Sequence, residues 1–251
     1  MFIGTLKGNT KTNVMNPLKK LIINGIRGLG YDLVKSHPAK ELNAVLKRYE
    51  IQNVIDVGAN EGQYAMGIRK NGYKGQIHSF EPMTKVFRAL NGNLLNDPLW
   101  KSYNYGLGEK EEDVEINVSS NSPSSSILTM TEVHNQAAPD AVFKYKEIVH
   151  IKTLDAFADK IGIGKQATFL KIDTQGFELN ILKGAPHCLK YINTIQLEMS
   201  TTHLYQGEPL FFEISQFLYE RNFRLIKVFP GFSDKQSGEM LQFDGIFRRD
   251  L

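Results

Sequence analysis

An α/β fold, with a mostly parallel seven-stranded sheet, helices on both faces and an antiparallel hairpin at its C-terminal end, is predicted by three observations. From residue 52 onward, short apolar runs rich in β-branched residues alternate with segments of helical spacing. Such βαβ repetition sets parallel strands side by side with helices over them. The first strand runs directly into a glycine turn, Gly58 to Gly62, of the kind that aims a helix N-terminus at a ligand. The last two strands are joined by a Gly/Ser/Asp loop too short for a crossover helix, so they must be antiparallel. A chain of 251 residues, 41% hydrophobic and 23% charged, suits one such domain with appendages.

Residues 1–50 precede the first strand and are expected to form a helical cap, with the main domain spanning 51–251. Leu18, Leu21, Ile22, Ile26 and Leu29 fall at helical spacing, with Asn16 as cap, Pro17 in the first turn, and Lys19, Lys20 and Arg27 off that face. Packing on the domain is the expected use of this helix, and peripheral membrane contact is the alternative. A second helix carries Leu42, Val45, Leu46 and Tyr49 as its stripe. No run approaches the roughly twenty apolar residues of a membrane helix, and the N-terminus lacks the pattern of a secretory signal. A cytoplasmic protein is expected. Cys188 is the only cysteine, which excludes a disulfide within the chain, fits a reducing compartment, and reads as a small core residue. With a net charge of +3 and the two signs interspersed, no nucleic-acid partner is expected.

Taken in order, the first unit is a strand at Asn53 to Val57, the glycine turn, and a helix from Gln63 to Lys70. Glycine is expected in the turn because a Cβ would block both the dihedrals and the approach of a ligand. A second strand, Gln76 to Phe80, ends at Glu81-Pro82, and Val86, Phe87, Leu90 and Leu94 mark the next helix. A third strand, Lys101 to Tyr105, ends in Gly106-Leu107-Gly108. Val114 to Val118 and Glu147 to Ile151 alternate like half-exposed strands. Between them lie the serine-rich run Ser119 to Ser126 and a polar, helix-capable segment reaching Lys146. The run is expected to bury little and to be mobile, either as an idle loop or as a lid over a ligand. A short helix, Leu154 to Lys160, leads to a fourth strand, Ala167 to Asp173. The turn Thr174 to Glu178 then enters a helix carrying Ile181 and Leu182. A fifth strand, Ile192 to Met199, contains Glu198, and a loop with His203 follows. A helix started by Pro209 and the strands Phe223 to Phe229 and Met240 to Arg249 complete the chain.

The turn motif separates two ligands. A dinucleotide dehydrogenase wants G-x-G-x-x-G, whereas here Asn60 stands where the second glycine would be. The spacing fits the (D/E)-x-G-x-(G/N)-x-G turn of S-adenosylmethionine-dependent methyltransferases. Asp56 would orient the turn or the methionine ammonium group, and the backbone of Gly58, Ala59, Asn60 and Gly62 would meet the amino-acid moiety. Glu81 would accept bonds from the two ribose hydroxyls.

The series VIDVGANEGQY, SFEP, NYGLG, the run Ser124-Ser125-Ser126, KTLDAF, FLKIDTQGFELNILKGA, IQLEMS and FDGIFRR resembles the FkbM-type methyltransferases over roughly residues 51 to 249. The resemblance implies a Rossmann-like class I methyltransferase fold and methyl transfer from S-adenosylmethionine, typically to a hydroxyl of a sugar, glycan or natural product. Carried over residue by residue, it marks Asp56, Gly58, Asn60, Gly62, Glu81, Asn104 and Asp173, and the expected cofactor-binding set adds Ala59, Tyr64, Pro82, Gly106, Ser125 and Ser126. Two departures stand out: Gln175 occupies a position where glutamate is more usual, and Tyr105 replaces a small residue.

An alcohol must lose a proton as it attacks, so a base is expected near the methyl group. The catalytic candidates are Asp173, Glu198 and His203, with His203 closest to neutral in intrinsic pKa. Lys171 is expected to pair within the sheet, and Trp100 to pack or to cover the sheet edge near the adenine. Asp173, Glu178, Glu198 and His203 have no metal-ligand spacing, and no metal is expected. Monomer and oligomer stay open. The rival readings are an NAD-linked oxidoreductase and a nonenzymatic S-adenosylmethionine-binding protein.

Overall fold

The computed structural model describes residues 17–28, 38–94 and 96–249. The chain divides into two units, residues 1–37 and 38–251.

The first unit contributes helix α1 (Pro17–Gly28), with proline in its first turn and Arg27 in its last, the arrangement that suits the fixed φ of proline and the helix dipole. Asn16 and Leu29, expected at its ends, lie outside the described residues.

The second unit opens with α2 (Pro38–Arg48), whose Leu42 and Leu46 are buried. They join Ile51, Val54 and Ile68 in one apolar cluster. Five elements follow in alternation: β1 (Asn53–Val57), α3 (Gln63–Lys70), β2 (Gln76–Phe80), α4 (Thr84–Asn93) and β3 (Trp100–Tyr103). After an inserted region come β7 (Thr168–Ile172), α6 (Glu178–Lys183), β8 (Thr194–Ser200), α7 (Phe211–Tyr219), β9 (Arg224–Pro230) and β10 (Gln242–Arg248). The seven strands lie in the order β3-β2-β1-β7-β8-β10-β9. β1, β2, β3, β7 and β8 pair in parallel. β10 runs antiparallel to both β8 and β9, which makes it the one reversed strand of the sheet. Every residue of β1 and β7 is buried, as strands covered on both faces must be.

Strand alternation divides the core. One face sends Ile55, Val57, Leu170, Ile172, Ile195 and Leu197 against Leu182, Ile214 and Leu218 of α6 and α7. The other sends Val54, Ile77, Phe169 and Ile246 against α2 and α3. On this second face the apolar rows give way, toward the strands' carboxyl ends, to a polar row in register: Asp56 opposite Lys171, and Lys171 opposite Gln196.

The insertion forms a second sheet, order β4-β6-β5, from β4 (Gly106–Leu107), β5 (Glu112–Ser119) and β6 (Phe143–Lys152). β5 and β6 are antiparallel partners along their length. β3 stops at Tyr103, two residues before its predicted end, because Asn104 turns back and donates to the carbonyls of Glu81 and Pro82, at 3.0 and 2.8 Å. β6 begins at Phe143 rather than Glu147, which confines the intervening helix, α5, to Glu132–Ala137. The expected helix at Leu154 is a single 3-10 turn, Asp155–Phe157. The Asp155 carboxylate there accepts the N–H groups of His187 and Cys188.

The serine-rich run is seated rather than idle. It makes a 3-10 turn at Ser122–Ser124, and Ser125 and Ser126 are buried. Their hydroxyls replace the water that a polar loop would need: Ser125 Oγ accepts the Ser119 N–H, and Ser126 Oγ donates to the Gln175 carbonyl at 2.7 Å. Among the described residues no helix is long and apolar enough to cross a membrane.

Candidate functional site

The site starts at the turn after β1, where Gly58, Asn60 and Gly62 have φ of 73°, 49° and 91°, three left-handed residues in five. A Cβ on Gly58 would stand 1.9 Å from the Asp173 carbonyl oxygen, and one on Gly62 would stand 2.8 Å from Leu90 and Trp100. The close neighbours that demand glycine within the protein are therefore the end of β7, the side chain of Leu90 and the ring of Trp100. Asn60 adopts its left-handed conformation with Oδ1 accepting the Glu61 N–H at 2.8 Å, a local bond that makes asparagine tolerable there.

The turn's own N–H groups are consumed internally. Gly58 and Ala59 donate to the Phe80 carbonyl, Gly62 donates to that of Ala59, and Asn60 donates to Glu81 Oε2 at 3.0 Å. The N–H groups available to a ligand are instead those that any helix leaves unpaired in its first turn. In α3 that turn presents Gln63 and Tyr64 to a cleft of about 320 Å³, within the size range of small-molecule sites.

The cleft lies at the carboxyl ends of β1, β2 and β7, where parallel sheets bind ligands. Gly58, Ala59, Asn60, Tyr64, Glu81, Lys171 and Asp173 supply its polar side, and Pro82 and Gly106 lie beside Glu81. The inserted sheet contributes Leu107, Ile116 and Ile151 as an apolar wall, completed by Met83 and Ile127, and Ser122, Pro123 and Ser125 close one edge.

Glu81 is 3% exposed. Burial pushes its carboxyl up to about 7, against the N–H groups of Met83 and Asn60 that favour the charged form. Oε1 accepts from Met83 at 2.9 Å and Oε2 from Asn60, so each oxygen keeps a lone pair for another donor. Asn104 does not line the cleft; it fixes the backbone on either side of Glu81.

Asp56 lies beneath the cleft, fully buried, and meets Lys171 Nζ at 3.1 Å. Lys171 also reaches Asp173 Oδ2 at 3.4 Å, donates to the Gly58 carbonyl at 3.3 Å and sits 5.3 Å from the centre of the Tyr64 ring. Burial opposes charge on Lys171, but Asp56 and Asp173 outweigh it and hold the ammonium protonated. Asp56 is therefore tied to the turn through Lys171, which bonds the Gly58 carbonyl, and is not among the residues lining the cleft. Lys171 pairs within the sheet as expected. Its place on the cleft could have been read from the sequence, since residues two apart on a strand, Lys171 and Asp173, share a face. Gly62 and Trp100 also stand behind the turn, the indole donating to Ser79 Oγ at 2.9 Å.

Asp173 lines the cleft with its side chain 36% exposed. Gln175, held at φ 55°, donates from Nε2 to Asp173 Oδ1 at 3.1 Å and to Glu198 Oε2 at 2.5 Å. Its Oε1 accepts the Tyr205 hydroxyl at 2.9 Å. Glu198 takes a second bond, from Gln242, on the same Oε2. Burial raises its carboxyl well above the ordinary value, with Asp173 and Asp244 adding to the effect. Glu178 is not at the cleft; it folds back to accept from Thr174 and Gly176 and holds the turn.

The structure does not bring His203 to the site. Its side chain is exposed, and its carbonyl accepts from Thr131 Oγ1 at 2.8 Å. The loop is instead anchored by buried Glu208, which accepts from the N–H groups of Leu204 and Tyr205 and from Ser200. Sequence reasoning missed the wall from the inserted sheet and the Tyr205–Gln175 bond, both of which join residues far apart in the chain.

A model of the FkbM methyltransferase domain matches residues 56–225. The chain is similar to Methyltransferase 1 of Beauveria bassiana (strain ARSEF 2860), with 23% identity over 142 residues covering 52% of this chain and 57% of that protein. It is also similar to Methyltransferase sdnD of Sordaria araneosa, with 28% identity over 165 residues covering 54% of this chain and 63% of that protein. The matches thus span about three fifths of these relatives' lengths. Among solved structures, an rRNA methylase from Streptococcus thermophilus aligns with a TM-score of 0.48 at 8% identity, covering 87% of this chain and all of that one. Precorrin-6y C5,15-methyltransferase from Geobacter metallireducens GS-15 aligns with a TM-score of 0.44 at 10% identity, covering 86% and 90%.

Proposed function

The chain belongs to the FkbM methyltransferase family, and from that premise we propose that it methylates a hydroxyl oxygen of a sugar, glycan or natural product. S-adenosylmethionine is the methyl donor, and when bound it supplies an electrophilic methyl group on a sulfonium whose departure needs no acid. The residues present fit it. The first turn of α3, with Gly58 to Asn60, would hold the amino-acid end, the two oxygens of Glu81 the ribose hydroxyls, and the apolar wall of Met83, Leu107, Ile116, Ile127 and Ile151 the adenine.

The observation that carries the proposal is the carboxylate pair Asp173 and Glu198, joined by the Gln175 amide at the edge of the donor cleft. An attacking alcohol must shed its proton. Asp173, on the cleft itself, orients the acceptor hydroxyl. Glu198, whose carboxyl is raised and whose two hydrogen bonds both fall on Oε2, receives the proton on Oε1. His203 has no part in this assignment. Asp244, opposite Glu198 in the sheet, and Gln196 are hydrogen-bonded to each other at 3.1 Å beside this pair. The carboxylates of Asp173 and Glu198 oppose nucleic-acid phosphates, which favours a small-molecule acceptor, and the single, buried Cys188 fits a reducing compartment such as the cytoplasm.

Incubation with methyl-labelled S-adenosylmethionine and a panel of sugars, glycans and polyketide alcohols tests the reading. It predicts label on oxygen, with Glu198→Gln slowing turnover about a hundredfold or more, the usual worth of a general base. Label on nitrogen, or full turnover by Glu198→Gln, would refute it.

A further inference from the structure

Tyr205 and His134 are both buried, their ring centres 5.2 Å apart, beside an apolar cluster that includes Met130, Leu204 and Leu241. Their elements are tied together. Thr131 caps α5 by accepting the His134 N–H, and it donates its hydroxyl to the His203 carbonyl, two residues before Tyr205. Among the described residues the Tyr205 hydroxyl meets Gln175 Oε1 at 2.9 Å, the Ser124 carbonyl at 3.3 Å and His134 Nε2 at 3.5 Å. His134 Nδ1 has no hydrogen-bond partner there.

These contacts have a direction. An ionised carboxylate only accepts, so Gln175 turns Nε2 to Asp173 and Glu198 and Oε1 to Tyr205. The single phenolic proton then goes to Oε1, its nearest acceptor, and the Tyr205 oxygen faces His134 with a lone pair. A His134 protonated on Nδ1 would oppose that lone pair with its own and bury a donor that nothing receives. Burial also disfavours the imidazolium. We propose that His134 is held as the neutral Nε2–H tautomer, and that Tyr205, backed by it, is a positioning residue that locks the Gln175 amide toward the carboxylates and so sets how tightly Glu198 binds a proton. Each bond points the same way, from imidazole to hydroxyl to amide to carboxylate, and strengthens the next. An amide free to turn would bring Oε1 to Glu198, taking a donor from its anion and accepting the proton of its acid. The effect on rate rests on Glu198 being the base, whereas the hydrogen-bond chain does not depend on which acceptor is methylated.

The test is NMR of the full chain with neither donor nor acceptor present. Nitrogen-15 labelling of histidine reads the tautomer of His134 in the wild type, which needs no variant to fold, and Nε2–H is expected. Carbon-13 labelling of glutamate carboxyls, with Glu198 assigned by its loss in Glu198→Gln, reads its titration. In Tyr205→Phe that titration is expected about one pH unit higher, roughly tenfold tighter proton binding, and the acid limb of the pH–rate profile is expected to move with it. The charged groups around Glu198 are Asp173, Asp244, Glu178 and Lys171, and Tyr205 faces Glu208 besides Glu198, Glu178 and Asp173. All stay in place in this variant, so the displacement reports the amide. A proton on His134 Nδ1, or a Glu198 titration unmoved in Tyr205→Phe, overturns the proposal. A titration that moves while the rate profile stays upholds it and refutes Glu198 as the base, which tells the two failures apart.

Discussion

Gln175 donates one side-chain amide to Glu198 at 2.5 Å and to Asp173 at 3.1 Å, so a single neutral group satisfies two carboxylates that would otherwise repel each other. Tyr205 fixes the orientation of that amide by donating to its oxygen. Replacing Gln175 with glutamate keeps the shape but sets a third acid where the donor stood. We expect Gln175→Glu to lower the melting temperature, at a cost of about 1–3 kcal/mol for the unsatisfied carboxylates, and more at pH 8 than at pH 6. Equal melting at both pH values would show that the amide does not separate these charges.

The pH dependence of stability follows from Glu81 and Glu178. Both are raised from 4.5 to about 7, first by burial. A carboxyl with a folded-state pKa above its unfolded value binds more protons when folded, so stability falls as pH rises between those two values. Without ligand, the protein should melt higher at pH 5.5 than at pH 7.5. S-adenosylhomocysteine should reverse part of the difference, because ribose hydroxyls favour the charged form of Glu81. Thermal scans across this range check the sign; a melting temperature that climbs steadily with pH would contradict it.

The two kinds of left-handed residue in the turn should respond unequally to substitution. Gly58→Ala puts a Cβ 1.9 Å from the Asp173 carbonyl at φ 73°, adding a clash to the roughly 1–2 kcal/mol conformational cost, and should abolish ligand binding or folding. Asn60→Gly relieves φ while losing the bond to the Glu61 N–H, and should change stability by less than about 1 kcal/mol. Similar behaviour of the two variants in denaturant unfolding would show that the packing of Gly58 is not what demands glycine.

The seven strands, their mostly parallel pairing with a terminal hairpin, and the cleft's position were legible because they depend on local signals: β-branched runs, glycines at the end of β1, and a loop before β10 too short for a helix. Gly58, Asn60, Glu81 and Asp173 came from the same signals. Asp56 was legible as a strand-end acid but not as a buried partner, because the neighbour that hides it, Lys171, comes from a strand over a hundred residues away. The serine run read as a loop, since nothing local says that Ser126 will meet Gln175. His203 was favoured by its intrinsic pKa alone, and its exposure depends on Glu208 anchoring the loop from within.

The most direct measurement is titration calorimetry of S-adenosylhomocysteine and of NAD against the wild type and Glu81→Ala. The donor cleft described here predicts one S-adenosylhomocysteine site, weakened about tenfold or more when the charged hydrogen bonds of Glu81 are removed, and no heat from NAD. Binding of NAD, or S-adenosylhomocysteine affinity unchanged in Glu81→Ala, would contradict it.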